Sequence, residues 1–186
     1  MQGRCFKWFV VIFALSTLVA GCGSTKISAQ KQDDDRLTTN QDGYLLIGLV
    51  NNYSLDALYI WGDTDLQLTE EDLSAGENYI LVPIPSGNYQ LGQINYNYYF
   101  RTKLDDDIWR FTIAPGQINY IGHLTVNRPN YWFFSNNIEL KNRAASARLF
   151  MEKYFPSVLS ERKLTYAGPG EDKFFDFIAQ LETSNE

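Results

Sequence analysis

The chain has 186 residues, 45% apolar, 20% charged and 15% aromatic, with 12 Tyr, 12 Phe and 4 Trp and a formal charge of −6. That balance excludes a disordered, collagenous or multispan membrane protein, and the length fits one domain. Two cysteines and one histidine leave little material for metal or thiol chemistry.

Residues 1–21 read as a secretory signal. Arg4 and Lys7 form a positive n-region, and Trp8 to Val19 form an apolar h-region interrupted only by Ser16 and Thr17. As helix this stretch is about 18 Å long against a hydrocarbon core of about 30 Å, so it suits cleavage rather than anchoring. The residues that follow, Val19-Ala20-Gly21-Cys22, resemble the bacterial lipobox: an aliphatic residue, two small ones and a cysteine. The resemblance implies that the Cys22 thiol is diacylglycerylated, that the bond before it is cut, and that Cys22 becomes the acylated N-terminus, carrying chains such as palmitate. Gly23 in place of Asp at the second mature position implies the outer membrane, facing the periplasm. Several acyl chains make such an anchor durable, each buried CH₂ contributing about 0.8 kcal/mol.

On this reading Cys5 leaves with the signal and Cys22 carries lipid, so the mature chain has neither thiol nor disulfide. Loss of residues 1–21, which hold Arg4 and Lys7 and no acid, takes the formal charge from −6 to −8. An acidic domain is a poor partner for nucleic acid or anionic head groups, and the acyl chains are expected to hold it to the membrane. Residues 22–42 then read as the lipidated cysteine and a flexible tether. The tether is polar and without apolar period, about 25 Å long as coil and at most about 66–72 Å when straight. Its Asp33-Asp34-Asp35 run is expected to be solvated.

Residues 43–141 carry strand and turn patterns. Tyr44–Val50, Ala57–Trp61, Glu77–Ile84, Asn88–Phe100, Ile108–Ile113, Gln117–Asn127 and Tyr131–Lys141 are rich in β-branched and aromatic residues. Asn51-Asn52, Gly62-Asp63, Ser86-Gly87, Asp105-Asp106 and Pro115-Gly116 separate them. The expected fold is mainly β, an antiparallel β-sandwich of about seven strands. Leu45–Val50 and Tyr79–Val82 are apolar on both parities and are expected at the sheet centre, covered on both faces. Tyr89 and Leu91 fall out of phase with Ile94, Tyr96, Tyr98 and Phe100, which predicts a bulge at Gly92 or Gln93. The pentamer Gly92-Gln93-Ile94-Asn95-Tyr96 recurs as Gly116-Gln117-Ile118-Asn119-Tyr120, with Ile and Tyr expected inward in both.

Residues 142–186 read as a helical extension of the same domain, packed on the sandwich. Asn142 can cap a helix whose apolar face is Ala144, Ala147, Met151 and Phe155, stopped or kinked by Pro156. A second helix is expected over 171–181, with Phe174, Phe177, Ile178 and Leu181 on its apolar face.

Two phrases, Pro85-Ser86-Gly87-Asn88-Tyr89-Gln90-Leu91 and Ala114-Pro115-Gly116-Gln117-Ile118-Asn119-Tyr120-Ile121-Gly122, are similar to the returns of carboxypeptidase-regulatory-like and transthyretin-like sandwich domains, such as those of uncharacterised bacterial lipoproteins. The resemblance implies the fold and no catalytic residue.

No nucleophile elbow, zinc motif or phosphate loop is present. His123, the lone histidine, is expected to be a structural hydrogen-bonder sharing its face with Asn119, Ile121 and Thr125. Asp63-Thr64-Asp65 with Glu70-Glu71-Asp72 begins like a calcium loop but has Leu68 at the sixth position and Ser74 at the twelfth, so that reading fails. No catalytic residue, metal or cofactor is expected. The aromatic surplus is expected to be covered by the opposite sheet and the C-terminal helices, with Tyr98, Tyr99, Trp132 and Phe134 as the candidate binding surface where it is not. The sequence therefore suggests a non-catalytic binding or structural module of the cell envelope, tethered to membrane, with an envelope protein or a glycan as partner and no nucleic acid. The alternatives are a glycan-binding module using exposed aromatics, or a hydrolase of unrecognised type.

Overall fold

A computed structural model describes residues 23–39, 41–127 and 137–184. The chain is mainly β, with eleven strands and three helices among the described residues. Cys22, Trp132 and Phe134 lie outside them.

The strands are β1 (Thr25–Ile27), β2 (Asp42–Asn51), β3 (Ala57–Gly62), β4 (Leu66–Thr69), β5 (Gly76–Pro85), β6 (Gly87–Asn95), β7 (Arg101–Lys103), β8 (Arg110–Ile113), β9 (Ile118–Asn127), β10 (Asn137–Lys141) and β11 (Leu164–Tyr166). The helices are α1 (Ala144–Tyr154), α2 (Pro156–Glu161) and α3 (Phe174–Thr183). One sheet runs β1-β4-β3-β6-β7, with β8 also on β6; the other runs β10-β9-β2-β5, with β11 also on β9. The sheets are mixed rather than purely antiparallel: β1–β4, β2–β9 and β9–β11 are parallel pairs. The strands beyond the expected seven include β1, β4, β7 and β11, each only three or four residues long. Segments that short hold too few residues to display a period.

Two apolar layers follow from the alternation. Leu45, Ile47, Leu58, Ile60, Leu91 and Ile94 belong to the cluster between the sheets. Tyr44, Leu46, Ile118 and Tyr120 point the other way, under Ala147, Met151, Phe155 and Phe175 of the helical layer. β2 is thus covered on both faces at the centre of its sheet, as expected. β5 is equally covered but lies at the sheet edge. The bulge falls at Gly92: Tyr59 pairs with Gln93 and Ile60 with Leu91, so Gly92 is the extra residue. The two pentamers bury their Ile and Tyr in different layers, Ile94 and Tyr96 between the sheets and Ile118 and Tyr120 under the helices.

The α1 face is as expected, with Ala144, Ala147, Met151 and Phe155 buried and Asn142 Oδ1 accepting the Ala144 N–H at 3.0 Å. α1 stops at Tyr154, just before Pro156, as expected, and Pro156 then opens α2, a position where its missing N–H costs nothing. On α3 the expected face is corrected. Phe175 is buried, whereas Phe177 and Leu181 are exposed, because the helix presents the 174–175–178 edge to the sheet.

The expected flexible tether is also corrected. Residues 25–37 cross the open side of the sandwich. β1 extends the first sheet, Gln30 N–H donates to Leu81 O on the β5 edge at 2.7 Å, and Gln30 itself is buried. The Asp run is engaged rather than solvated. Asp33 accepts the Ser157 and Val158 N–H groups at 2.8 and 3.1 Å, capping α2 from more than 120 residues away. Asp35 accepts the Tyr44 hydroxyl at 3.0 Å and pairs with the Arg162 guanidinium. Polar composition concealed this role because what the strap satisfies are polar groups of the domain, not apolar surface.

Candidate functional site

The β6–β7 connection is a short turn carrying Tyr98, Tyr99 and Phe100. Asn97 Oδ1 accepts both the Tyr99 N–H at 2.8 Å and the Phe100 N–H at 3.0 Å, and Tyr96 N–H donates to Phe100 O at 2.9 Å. An Asn side chain closing its own turn in this way fixes the backbone without help from the side chains that follow. Those side chains are left outside: Tyr98 is 90% exposed, Tyr99 83% and Phe100 53%. The two tyrosine rings meet edge to face with centroids 5.1 Å apart. Beneath them Tyr96 is buried and stacks on Tyr53 at 6.0 Å, so the turn stands on a packed aromatic base. Burial also pushes the Tyr96 hydroxyl pKa up.

The register places this turn at one end of the sandwich. Asn95 pairs with Ala57, and Ala57 with Thr69, so the β2–β3 connection emerges beside it. Asn127 and Asn137, the paired residues that bracket 128–136, lie one residue beyond Val126, the partner of Asn51, at the same end of the other sheet. β1 enters at the opposite end, where Thr25 N–H donates to Asp65 O at 2.8 Å and Thr25 pairs with Leu66.

His123, singled out in the sequence as a hydrogen-bonder, sits in a polar cluster whose other members, Tyr120, Glu77 and Arg143, the sequence did not indicate. β9 shifts register against β2 at Ile121, since Leu46 pairs with Tyr120 and Ile47 with Gly122. The extra residue turns His123 to the helix side with Tyr120, leaving Leu124 and Val126 between the sheets. The expected grouping of His123 with Ile121 is therefore corrected. Tyr120 Oη accepts the Arg143 N–H at 3.0 Å and lies 2.7 Å from His123 Nδ1. Which group donates in that contact is set by the imidazole tautomer. Nε2 has no hydrogen-bond partner among the described residues; Glu77 Oε1 stands 3.7 Å away, and the Tyr79 ring packs edge-on at 4.8 Å. Burial, with Arg143 nearby, lowers the His123 pKa to about 4 against the pull of Glu77. A neutral ring with no exposed surface is held by its hydrogen bond to Tyr120 inside the fold and is closed to solute. A positive φ at Gly122, +125°, is the local signal of the bulge.

No protein-family model matches the chain, and no curated protein or solved structure was found similar to it.

Proposed function

We propose that this protein is a lipid-anchored periplasmic module of a bacterial outer membrane, non-catalytic, that binds or braces another envelope component through the Tyr98–Tyr99 turn. The anchor is Cys22, acylated after removal of residues 1–21. The observation that carries the binding role is the turn itself, two tyrosines almost wholly exposed on a backbone held by Asn97. Tyrosine supplies large contact area at low entropic cost and is enriched among the residues that dominate protein interfaces.

The β1 register supports the orientation this role needs. Cys22 precedes Thr25 by three residues, at most about 11 Å of chain. Thr25 lies at the Asp65 end of the first sheet, whereas the turn follows Asn95 at the other. About 20 Å of β6 separates the two ends, from Tyr89 to Asn95. An acylated Cys22 therefore sets the Asp65 end toward the bilayer and the tyrosines away from it.

The test is co-purification from detergent-solubilised envelopes with the full chain and with Tyr98→Ala/Tyr99→Ala, alongside palmitate-analogue labelling of Cys22→Ser. A component recovered with the wild type and lost with the double variant is the expected result, with label present only when Cys22 is. Recovery of nothing specific by the wild type, or recovery unchanged by the double variant, overturns the binding role; labelling of Cys22→Ser overturns the anchor.

A further inference from the structure

The first sheet has a second surface, the face turned away from the core. Its inward residues, Leu58, Ile60, Leu66, Leu68, Leu91 and Ile94, are all buried. Alternation therefore fixes what points outward, and the strand pairings line those residues into rows across the sheet.

One row crosses five strands: Lys26 pairs with Gln67, Gln67 with Tyr59, Tyr59 with Gln93 and Gln93 with Lys103. Four interstrand spacings make it about 19 Å long. Toward the aromatic turn, Thr69, Ala57, Asn95 and Arg101 form the next row. Toward the Asp65 end, Trp61 pairs with Gln90 and Gln90 with Arg110. No position in these rows is acidic, although the chain has 22 Asp and Glu against 16 Lys and Arg. The charged positions are Lys26, Arg101, Lys103 and Arg110, all exposed, and of these Arg110 is paired with Asp107 Oδ1 at 3.0 Å. The helices pack on the other sheet, against Tyr44, Leu46, Ile118 and Tyr120.

The bulge has a use on this face. A Cβ at Gly92 would lie 2.2 Å from Trp61 Cδ2, so the indole rests against bare backbone at the extra residue. Trp61 and Tyr59 are half-buried there, two apart on one strand. Gln93 Nε2 donates to Asn95 Oδ1 at 2.7 Å, which holds both amides along the surface.

Aromatic rings that pack against the apolar faces of pyranoses, amides that both donate to and accept from hydroxyls, and cations in rows that hold no acid are the complement of one ligand class. We propose that the outer face of the first sheet binds an anionic polysaccharide, laid across the strands along the Lys26–Gln67–Tyr59–Gln93–Lys103 row. This site is separate from the tyrosine turn and does not rest on it. Cations at the two ends of the row take carboxylate or phosphate groups of the polymer, while Tyr59 and Trp61 take sugar rings between them.

The experiment is native affinity electrophoresis of the full chain in detergent, through gels containing polygalacturonate, neutral dextran or single-stranded oligothymidylate. The expected result is retardation by polygalacturonate only. Lys26→Glu/Lys103→Glu, both at exposed sites where the fold is insensitive, should weaken it about tenfold or more. Trp61→Ala should weaken it severalfold, and Tyr98→Ala/Tyr99→Ala should leave it unchanged. No retardation by polygalacturonate overturns the proposal, as does retardation unaffected by Lys26→Glu/Lys103→Glu. Equal retardation by oligothymidylate makes the face a nonspecific cationic surface, and loss with the turn variant moves the site to the turn; either overturns the assignment.

Discussion

Gly48 and His123 face each other across the parallel β2–β9 pair so closely that a Cβ on Gly48 would lie 2.5 Å from three atoms of the imidazole. The ring occupies the space a side chain would take, sealed on its other sides by Tyr79 and Tyr120. Gly48→Ala should therefore displace the imidazole and break its 2.7 Å bond to Tyr120. Overpacking and a lost buried hydrogen bond together should lower stability by about 2–4 kcal/mol in urea denaturation.

The same residue makes stability depend on pH. The His123 pKa is lowered to about 4 in the folded chain by burial and by Arg143, against about 6.5 when unfolded. Between those values the unfolded chain takes up a proton that the folded chain refuses. Stability is thus complete above about pH 6.5 and falls as pH drops toward 4, by up to about 3 kcal/mol. Denaturation midpoints measured from pH 7 to pH 4 should show this slope, and His123→Gln should flatten it even if the variant is less stable overall.

The Asp33 cap on α2 should be measurable separately. Burial alone would raise the Asp33 carboxyl, but the N–H groups of Ser157 and Val158 outweigh it and hold the pKa below the ordinary value. The depressed pKa gives stability present above about pH 4 and lost as pH falls further, below the His123 window. Asp33→Ala should cost about 1 kcal/mol and Asp33→Asn less, with faster amide exchange at 157 and 158.

The tyrosine turn separates fold from surface. Tyr98→Ala and Tyr99→Ala should each change stability by no more than about 0.5 kcal/mol, because neither side chain is buried. Asn97→Ala removes the acceptor of two backbone N–H groups and should cost about 1 kcal/mol, with exchange at 99 and 100 accelerated.

Much of the core was readable because its elements are long and periodic. β2, β5 and β9 each run ten residues. The phase slip at Gly92 was visible as two apolar runs of opposite parity, which an extra residue must reconcile. The second slip, at Ile121, escaped for the opposite reason. Ile118, Tyr120, Leu124 and Val126 share a parity, so the sequence shows unbroken alternation where the chain changes layers. Ile118 and Tyr120 face helices and Leu124 and Val126 face a sheet, and both surroundings accept the same apolar residue types.

By itself the sequence determined a mainly β fold with helices at its C-terminal end, the bulge at Gly92 and the buried face of α1. Each rests on the spacing of apolar residues within one segment, which is local information. Tertiary structure alone decided that residues 25–37 strap the sandwich, that Tyr98 and Tyr99 stand exposed, and that Lys26 lies in one row with Lys103. These depend on which strands pair and in what register, and pairing free energy comes from contacts between residues far apart in the chain. Lys26 and Lys103 meet one face of one sheet only because β1 pairs with β4 and β7 with β6.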